Sequence, residues 1–315
     1  MTFADVLSGS SRDMTMSMVR ILAKYRTGLT ITHINAQSLN SKLDEFRLVF
    51  ENSGVDIVCV SETWLSNSTP DGIIAPEGYQ IFRNDRESRG GGVAIFVRNG
   101  LTCRVLMKSS SSISPGDGNI EFIFVEVSSY GRKMLVGCVY RPNNRISFSN
   151  FYDAIGTLTM EYEDVVVCSD FNSNILLEAS LTNYMLSLGL VCINTTAPTH
   201  HTSTSSTLID LIFVTNDLRT LLYDQLSAPC FSRHDLLFLT YDFKPQFSEQ
   251  IYSFRDFRNI DGNLLRERFS QITWNDMYYM PSVDMQTTFL EENVQTLFDA
   301  TVPIRFKRIS NRQKP

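Results

Sequence analysis

Five short, almost wholly apolar runs recur along this chain, and each is read as ending in a polar residue suited to proton-transfer or metal chemistry. The runs Leu29-Thr-Ile-Thr-His-Ile, Val55-Asp-Ile-Val-Cys-Val, Met134-Leu-Val-Gly-Cys-Val and Val165-Val-Val-Cys lead to Asn35, Glu62, Tyr140, and Asp170 with Asn172; the fifth such position is His234. β-Branched residues bounded by turn residues predict strands, and the lack of polar alternation predicts burial on both faces. Strands of this kind, laid side by side, carry their ends to one rim. Groups far apart in sequence can then meet in a single cleft.

Helical spacing appears between these runs. Leu43, Phe46, Val49 and Phe50 form one apolar stripe with Gly54 placed as its stop, and similar stripes fall at about 148–162 and 177–188, the latter closed by Gly189. The stretch Arg83–Arg98 predicts a loop feeding a strand, and Glu121-Phe-Ile-Phe-Val-Glu-Val another strand. Strands interleaved with helices predict an α/β domain over residues 29–243. Residues 1–28, rich in Ser and Met, are expected to form a leader. Residues 244–315 hold no convincing strand but do hold amphipathic stretches (Phe289, Val294, Leu297, Phe298) and end on a basic run, so a helical connector is expected there.

A hydrophobic content of 43% with 11% aromatic residues predicts a packed core. No apolar run approaches the roughly 18–20 residues that cross a bilayer, and the first 26 residues lack the features of a secretory signal. No membrane partner is expected. The six cysteines include no Cys-x-x-Cys, which predicts buried free thiols in a reducing compartment. A formal charge of −6 weighs mildly against nucleic acid as partner. A metal site needs carboxylates, however, and a local basic face can coexist with a negative total.

Glu62 follows its strand in Ser61-Glu-Thr-Trp-Leu, where a carboxylate can hold a divalent cation or simply face solvent. In Asp170-Phe-Asn172 the i, i+2 spacing points both side chains one way, although Asp-x-Asn is also an ordinary turn sequence. Asp210 interrupts the apolar Leu208–Val214 and needs a partner if buried; His234 is available. An Asp–His pair fixes the imidazole tautomer and raises its basicity, as activation of a water requires. His200-His201 looks like a metal pair, but adjacent residues on an extended chain face opposite ways, which favours loop histidines. Gly90-Gly-Gly lacks the Lys-Ser/Thr of a P-loop and enters a strand, so it predicts a tight turn or bulge beside Arg83, Arg86 and Arg89, which form a solvated face or, in a nuclease, contact phosphate.

Seven segments taken in order resemble one family. They are Ile34-Asn-Ala-Gln-Ser-Leu, Ser61-Glu-Thr-Trp-Leu, Arg89-Gly-Gly-Gly-Val-Ala-Ile, Val139-Tyr-Arg-Pro-Asn, Ser169-Asp-Phe-Asn, Ile209-Asp-Leu-Ile-Phe and Ser232-Arg-His. The resemblance is to the endonuclease/exonuclease/phosphatase superfamily, and within it to the apurinic-type endonuclease domain of non-LTR (LINE-type, Jockey- or CR1-like) retrotransposons. It implies a four-layer α/β-sandwich, two packed mixed sheets flanked by helices, with a helical C-terminal extension. It further implies a Mg²⁺-dependent DNA endonuclease, with Mn²⁺ as an alternative ion, that leaves a 3′-hydroxyl to prime reverse transcription.

Residue by residue, the resemblance assigns Glu62 and Asn35 to the metal and its water shell and Tyr140 to the phosphate. It assigns Asp170 to acid/base work near the leaving oxygen, Asn172 to positioning, and Asp210 with His234 to the orienting dyad. Arg89, Arg141 and Arg233 are the candidate substrate contacts. Both Asp170 and His234 stand as acceptors for the proton of the attacking water. Residues 244–315 resemble the segment joining such a domain to a reverse transcriptase, which would make element RNA and that enzyme partners beside DNA and imply an intracellular, nuclear location.

Two positions depart from the family pattern. Arg233 stands where the closing Ser-Asp-His motif has Asp, and Gln37 where many repair-type relatives have Asp. Asp235 is near enough to compensate in part, but on an extended segment its side chain is expected to point away. The rival readings are a decayed DNA-binding fragment that no longer cuts, and a phosphatase of the same superfamily.

Overall fold

A computed structural model describes residues 9–22, 28–86, 90–110, 119–143, 146–244 and 250–309. The chain divides into two compact units, Met1–Phe247 and Ser248–Pro315.

In the first unit the strands are β1 (Leu29–Asn35), β2 (Ile57–Ser61), β3 (Tyr79–Asn84), β4 (Val93–Arg98), β5 (Thr102–Lys108), β6 (Glu121–Ser129) and β7 (Arg132–Tyr140). They continue with β8 (Asp164–Asp170), β9 (Val191–Cys192), β10 (His200–His201), β11 (Ser206–Thr207), β12 (Asp210–Val214), β13 (Thr220–Leu226) and β14 (Leu236–Tyr241). The helices are α1 (Gly9–Leu22), α2 (Leu43–Ser53), α3 (Asp71–Ile74), α4 (Ser149–Thr159) and α5 (Ser180–Ser187).

Two six-stranded mixed sheets result, ordered β13-β14-β1-β2-β4-β3 and β5-β6-β7-β8-β12-β9. Their inner faces meet through Ile31, Ile57, Cys59 and Ile95 on one side and Ile123, Val136, Cys138 and Cys168 on the other, all inaccessible to solvent. The outer face of the first sheet is covered by α1 and α2 through Met14, Met18, Phe46 and Phe50. That of the second is covered by α4 and α5 through Phe151, Ile155, Leu181 and Met185. This is the expected four-layer sandwich. The stretch expected as a leader thus carries a helix whose Met18 lies in the same apolar cluster as Phe46 and Phe50.

Topology also explains how the rim is built. β1 and β2 run parallel, as do β7 and β8, whereas β4, β6, β12 and β14 run antiparallel to their neighbours. The carboxyl ends of the first four therefore share an edge with the amino ends of the second four. Asn35 pairs in register with Ser61, Ser61 with Val93, Glu121 with Tyr140, Tyr140 with Asp170, and Asp170 with Asp210. Asp210 and His234 reach this edge by opening β12 and preceding β14, and not, as His234 was expected to, by closing a strand.

The second unit contains β15 (Gln250–Arg255), α6 (Gly262–Ser270), α7 (Val283–Thr301) and β16 (Ile304–Ile309). β15 and β16 pair antiparallel, which corrects the expectation of no strand in this region. Ile304-Arg-Phe-Lys-Arg-Ile reads as a basic tail, yet Ile304 and Phe306 alternate with Arg305 and Lys307 as a two-stranded ribbon allows. Asp261 caps α6 by accepting the Asn263 and Leu264 N–H groups, and Ser282 caps α7 through Met285 N–H. Among the described residues no helix is long and apolar enough to cross a membrane.

Candidate active site

Asn35, fully buried at the end of β1, ties the two sheets together. Its Nδ2 donates to Glu62 Oε1 (2.9 Å) and to Asp170 Oδ2 (2.8 Å), while its Oδ1 accepts the Gln37 N–H (3.0 Å). Glu62 remains partly exposed, and its Oε2 accepts Trp64 Nε1–H at 3.3 Å. Six non-glycine residues among those described take positive φ, and five of them (Gln37, Ser38, Glu62, Trp64, Asn172) lie on the loops leaving β1, β2 and β8. Such backbone costs of order 1–3 kcal/mol per residue and gathers where side chains must be aimed.

Asp210 is inaccessible to solvent, and its Oδ2 accepts from both His234 Nδ1 (2.8 Å) and Thr199 Oγ1 (2.8 Å). Burial alone would raise its pKa. The charge and hydrogen bond of His234, with His33 and Thr199, reverse this and hold Asp210 below the ordinary carboxylate range. Burial likewise opposes the charged form of His234, but Asp210 overcomes it, helped by Asp170 and Glu62, and lifts the imidazole to about 9. Asp170 is pushed up to about 8 by burial and by the neighbouring charge of Asp210, against the pull of His234, Asn172 N–H and Asn35. Tyr140, nearly buried, is raised by burial and by the charges of Glu62 and Asp170, so its phenol stays protonated and available to donate.

The other expected residues are placed differently from one another. Asn172 donates through Nδ2 to the Arg141 carbonyl (2.7 Å), and its N–H reaches Asp170 Oδ1 (2.9 Å). The Arg141 guanidinium turns to the Ile146 carbonyl (2.8 Å) and lies 4.1 Å from the Phe148 ring centre, so Arg141 serves the site through its backbone. Arg233 is exposed, and Arg89 lies outside the described residues. Asp235 is committed to His201 Nε2 (3.0 Å) and Gln225 Nε2 (2.7 Å), so it does not replace the acidic residue missing at 233. His200 and His201 form the short strand β10 and do face opposite ways. The His200 ring stands 4.4 Å from that of His234, and His201 pairs with Asp235.

Sequence reasoning missed several supports of the site. Thr199 holds Asp210 by side chain and also accepts its N–H (3.0 Å); Asn194 donates to its carbonyl (2.8 Å). Ser232 Oγ donates to the Asn35 carbonyl and accepts the His234 N–H, fastening the entry of β14 to the end of β1. His33 lies fully buried with Nε2 3.2 Å from Ser61 Oγ and Nδ1 4.0 Å from Asp210 Oδ1. An isolated Thr or Ser in a polar loop carries no local signal, but His33, inside an apolar strand two residues before Asn35, did.

Asp170, Asp210 and His234 can each present a ligand atom within 4.8 Å of the others. His234 and Thr199 already engage Asp210 Oδ2, so the partly exposed Glu62 is the carboxylate best placed for a cation. A site of carboxylate oxygens fits a hard divalent ion such as Mg²⁺.

The profile of the Endonuclease/Exonuclease/phosphatase family matches residues 32–234, from β1 through His234. The chain belongs to that family. Solved structures share its fold. The endonuclease domain of TRAS1, a telomere-specific non-LTR retrotransposon, superposes with a TM-score of 0.53 at 14% identity, covering 68% of this chain and 99% of its own. An AP endonuclease from Archaeoglobus fulgidus gives 0.51 at 18% identity, covering 68% and 100%. A 3′ phosphatase from Neisseria, bound to a product DNA hairpin, gives 0.54 at 15% identity with the same coverage. No curated protein matches the chain.

Proposed function

We propose that this member of the endonuclease/exonuclease/phosphatase family is a Mg²⁺-dependent DNA endonuclease of the non-LTR retrotransposon type, which nicks a target strand and leaves a 3′-hydroxyl. The observation that carries the hydrolytic reading is Asn35, whose amide joins Glu62 to Asp170 at the edge where Asp210 holds His234. The retrotransposon assignment is supported by Ser61-Glu-Thr-Trp-Leu and Arg89-Gly-Gly-Gly-Val-Ala-Ile in the sequence and by the fold shared with the TRAS1 domain. Element RNA and a reverse transcriptase are the further partners this reading implies.

Phosphodiester hydrolysis needs a base for the attacking water, an acid for the leaving oxygen, and donors for the charge on the phosphate. Asp210 fixes the His234 ring through Nδ1 and raises its basicity, so Nε2 takes the proton of water once the ring, protonated below about 9, has released its own. Asp170, whose protonated form is favoured by burial and by Asp210, suits donation to the leaving oxygen. Tyr140 keeps its phenolic proton and donates it in a hydrogen bond to a phosphate oxygen, while Asn172, oriented by the Arg141 carbonyl, positions the same group. Glu62, steadied by Asn35 and Trp64, would hold the divalent cation. Such a cation supplies positive charge that stabilises the phosphate and the departing oxyanion.

The test is nicking of supercoiled plasmid with Mg²⁺ and with EDTA, followed by polymerase extension from the nick without prior phosphatase treatment. Mg²⁺-dependent nicks that extend directly support the proposal. Release of phosphate from a 3′-phosphorylated oligonucleotide, with no nicking, would place the chain with the phosphatases instead. Binding without cleavage would favour the decayed fragment, a reading that rests on the exposed Arg233.

A further inference from the structure

β4 and β6 run antiparallel to their neighbours, so the segments that enter them arrive at the rim beside Glu62 and Tyr140. Arg86 lies on the first of these segments and Glu121 opens the second. Arg86 Nε donates to Glu121 Oε1, while Glu121 Oε2 accepts the Gly92 N–H at 2.5 Å. The guanidinium carbon is 5.9 Å from the centre of the Tyr140 ring. Gly90, Gly91 and Gly92 all take positive φ (88°, 65° and 84°), and Gly91 lies so close to the guanidinium that a Cβ on it would be 2.3 Å away. This loop is fastened to the Glu62 segment, since Trp64 N–H reaches the Gly91 carbonyl (2.8 Å) and Thr63 N–H the Gly92 carbonyl (3.2 Å).

One donor in this cup is left over. Arg86 Nη2 is buried and has no hydrogen-bond partner among the described residues. A structural Arg–carboxylate pair would be expected to engage two parallel N–H groups with both carboxylate oxygens. Here Glu121 gives its second oxygen to Gly92, so it orients the guanidinium without satisfying it. Buried charged donors rarely remain unmatched. Among the described residues its surroundings include the Tyr140 ring and the Gly90–Gly92 loop fastened to the Glu62 segment.

We propose that Arg86 is a substrate contact whose Nη2 donates to a non-bridging oxygen of the phosphate held over Tyr140, with Glu121 and Gly91 as its positioning residues. The inference rests on the phosphodiester-cleaving reading above. It adds to a site that holds Glu62, Asp170, Asp210 and His234 a permanently charged cation for an anionic substrate.

The experiment measures binding of a fluorescein-labelled DNA duplex to the full chain in EDTA across a range of salt concentrations, for wild type, Arg86→Gln, Arg86→Lys and Glu121→Gln. Arg86→Gln is expected to weaken binding roughly tenfold and to reduce the slope of log K against log salt by about one. Arg86→Lys, which keeps the charge but not the fork, should keep the slope and lose part of the affinity. Unchanged affinity and slope in Arg86→Gln, with a melting temperature lowered as in Glu121→Gln, would reduce the pair to a structural one and overturn the proposal. Should Arg86→Gln not fold, wild-type affinity in Arg86→Lys overturns it and weakened affinity supports it. Titration with inorganic phosphate followed by ³¹P resonance separates the two claims. Arg86-dependent phosphate binding by a chain that cuts no DNA would sink the nuclease reading alone, whereas normal nicking and binding by Arg86→Gln would sink this contact alone.

Discussion

Asp170 and Asp210 stand opposite one another as cross-strand partners in the ladder between β8 and β12, both buried. Two adjacent carboxylates cannot both ionise cheaply, and their other neighbours decide which does. His234 and Thr199 keep Asp210 charged, and Asp170 is left as the reluctant acid, pushed up to about 8 by burial and by Asp210.

Removing His234 should therefore disturb more than catalysis. His234→Ala is expected to lower cleavage on the order of 10⁶-fold, as in Ser–His–Asp systems that lose the imidazole. It should also cost stability, about 3–5 kcal/mol, because Asp210 is left buried without its counter-charge. Asp210→Asn should depress cleavage on the order of 10⁴-fold with a smaller loss of stability, since the imidazole without its carboxylate partner becomes neutral at neutral pH and leaves no buried charge. Nicking rates and denaturant midpoints measured together check both statements. An active, well-folded His234→Ala would remove the dyad from the mechanism.

Glu62 offers the opposite case. It is partly exposed on a loop, so Glu62→Gln should leave the melting temperature within a degree or two, the scale of a surface change below about 0.5 kcal/mol. Nicking should nevertheless disappear at limiting Mg²⁺ and return only partly at high Mg²⁺, because one anionic oxygen has been lost from the cation site. Wild-type Mg²⁺ dependence in this variant would exclude Glu62 as a ligand.

What the sequence made legible follows from position in the sheets. The eight interior strands (β1, β2, β4, β6, β7, β8, β12, β14) are mostly inaccessible along their length and read as apolar runs. The edge strands β3, β5, β9 and β13 are half-buried and carry residues such as Arg83, Arg104 and Asp224, so they escaped notice; charged edges also resist pairing with other chains. Site residues beside interior strands, such as Asn35 and Asp170, were legible for the same reason. Thr199 and Ser232 were not. They sit in loops whose convergence depends on which strands run antiparallel, and that is a property of the whole topology.

His33 makes a pH-dependent contribution that can be tested on the intact chain. Burial, with an added push from the charge of His234, lowers its pKa from 6.5 to about 4, and Asp210 offsets only part of this. The unfolded chain then binds a proton below about 6.5 that the folded chain refuses until about 4. Stability from this residue is accordingly whole above 6.5 and falls through the window down to about 4, by roughly 3 kcal/mol. In EDTA, His33→Gln should flatten the decline of unfolding free energy across that window relative to wild type. An equally steep decline in the variant would mean that His33 does not remain neutral in the fold.

Arg233 decides between an enzyme and a relic. Its side chain is exposed, and among the described residues it has no hydrogen bond or ion pair, while its carbonyl accepts the His201 N–H (3.0 Å) and so fixes the backbone before His234. The nearby Asp235 cannot stand in for a missing acid, because His201 and Gln225 already hold it. A guanidinium at this position opposes a bound cation but attracts DNA phosphate. Arg233→Asp should therefore lower the Mg²⁺ concentration needed for nicking, and in EDTA it should weaken duplex binding with a salt slope reduced by about one. Folding should be untouched, since the exposed side chain has no partner to lose and the backbone hydrogen bond remains. If Arg233→Asp instead cuts less well than wild type at every Mg²⁺ concentration, Arg233 is a working phosphate clamp, and the reading of a decayed fragment loses the residue on which it stands.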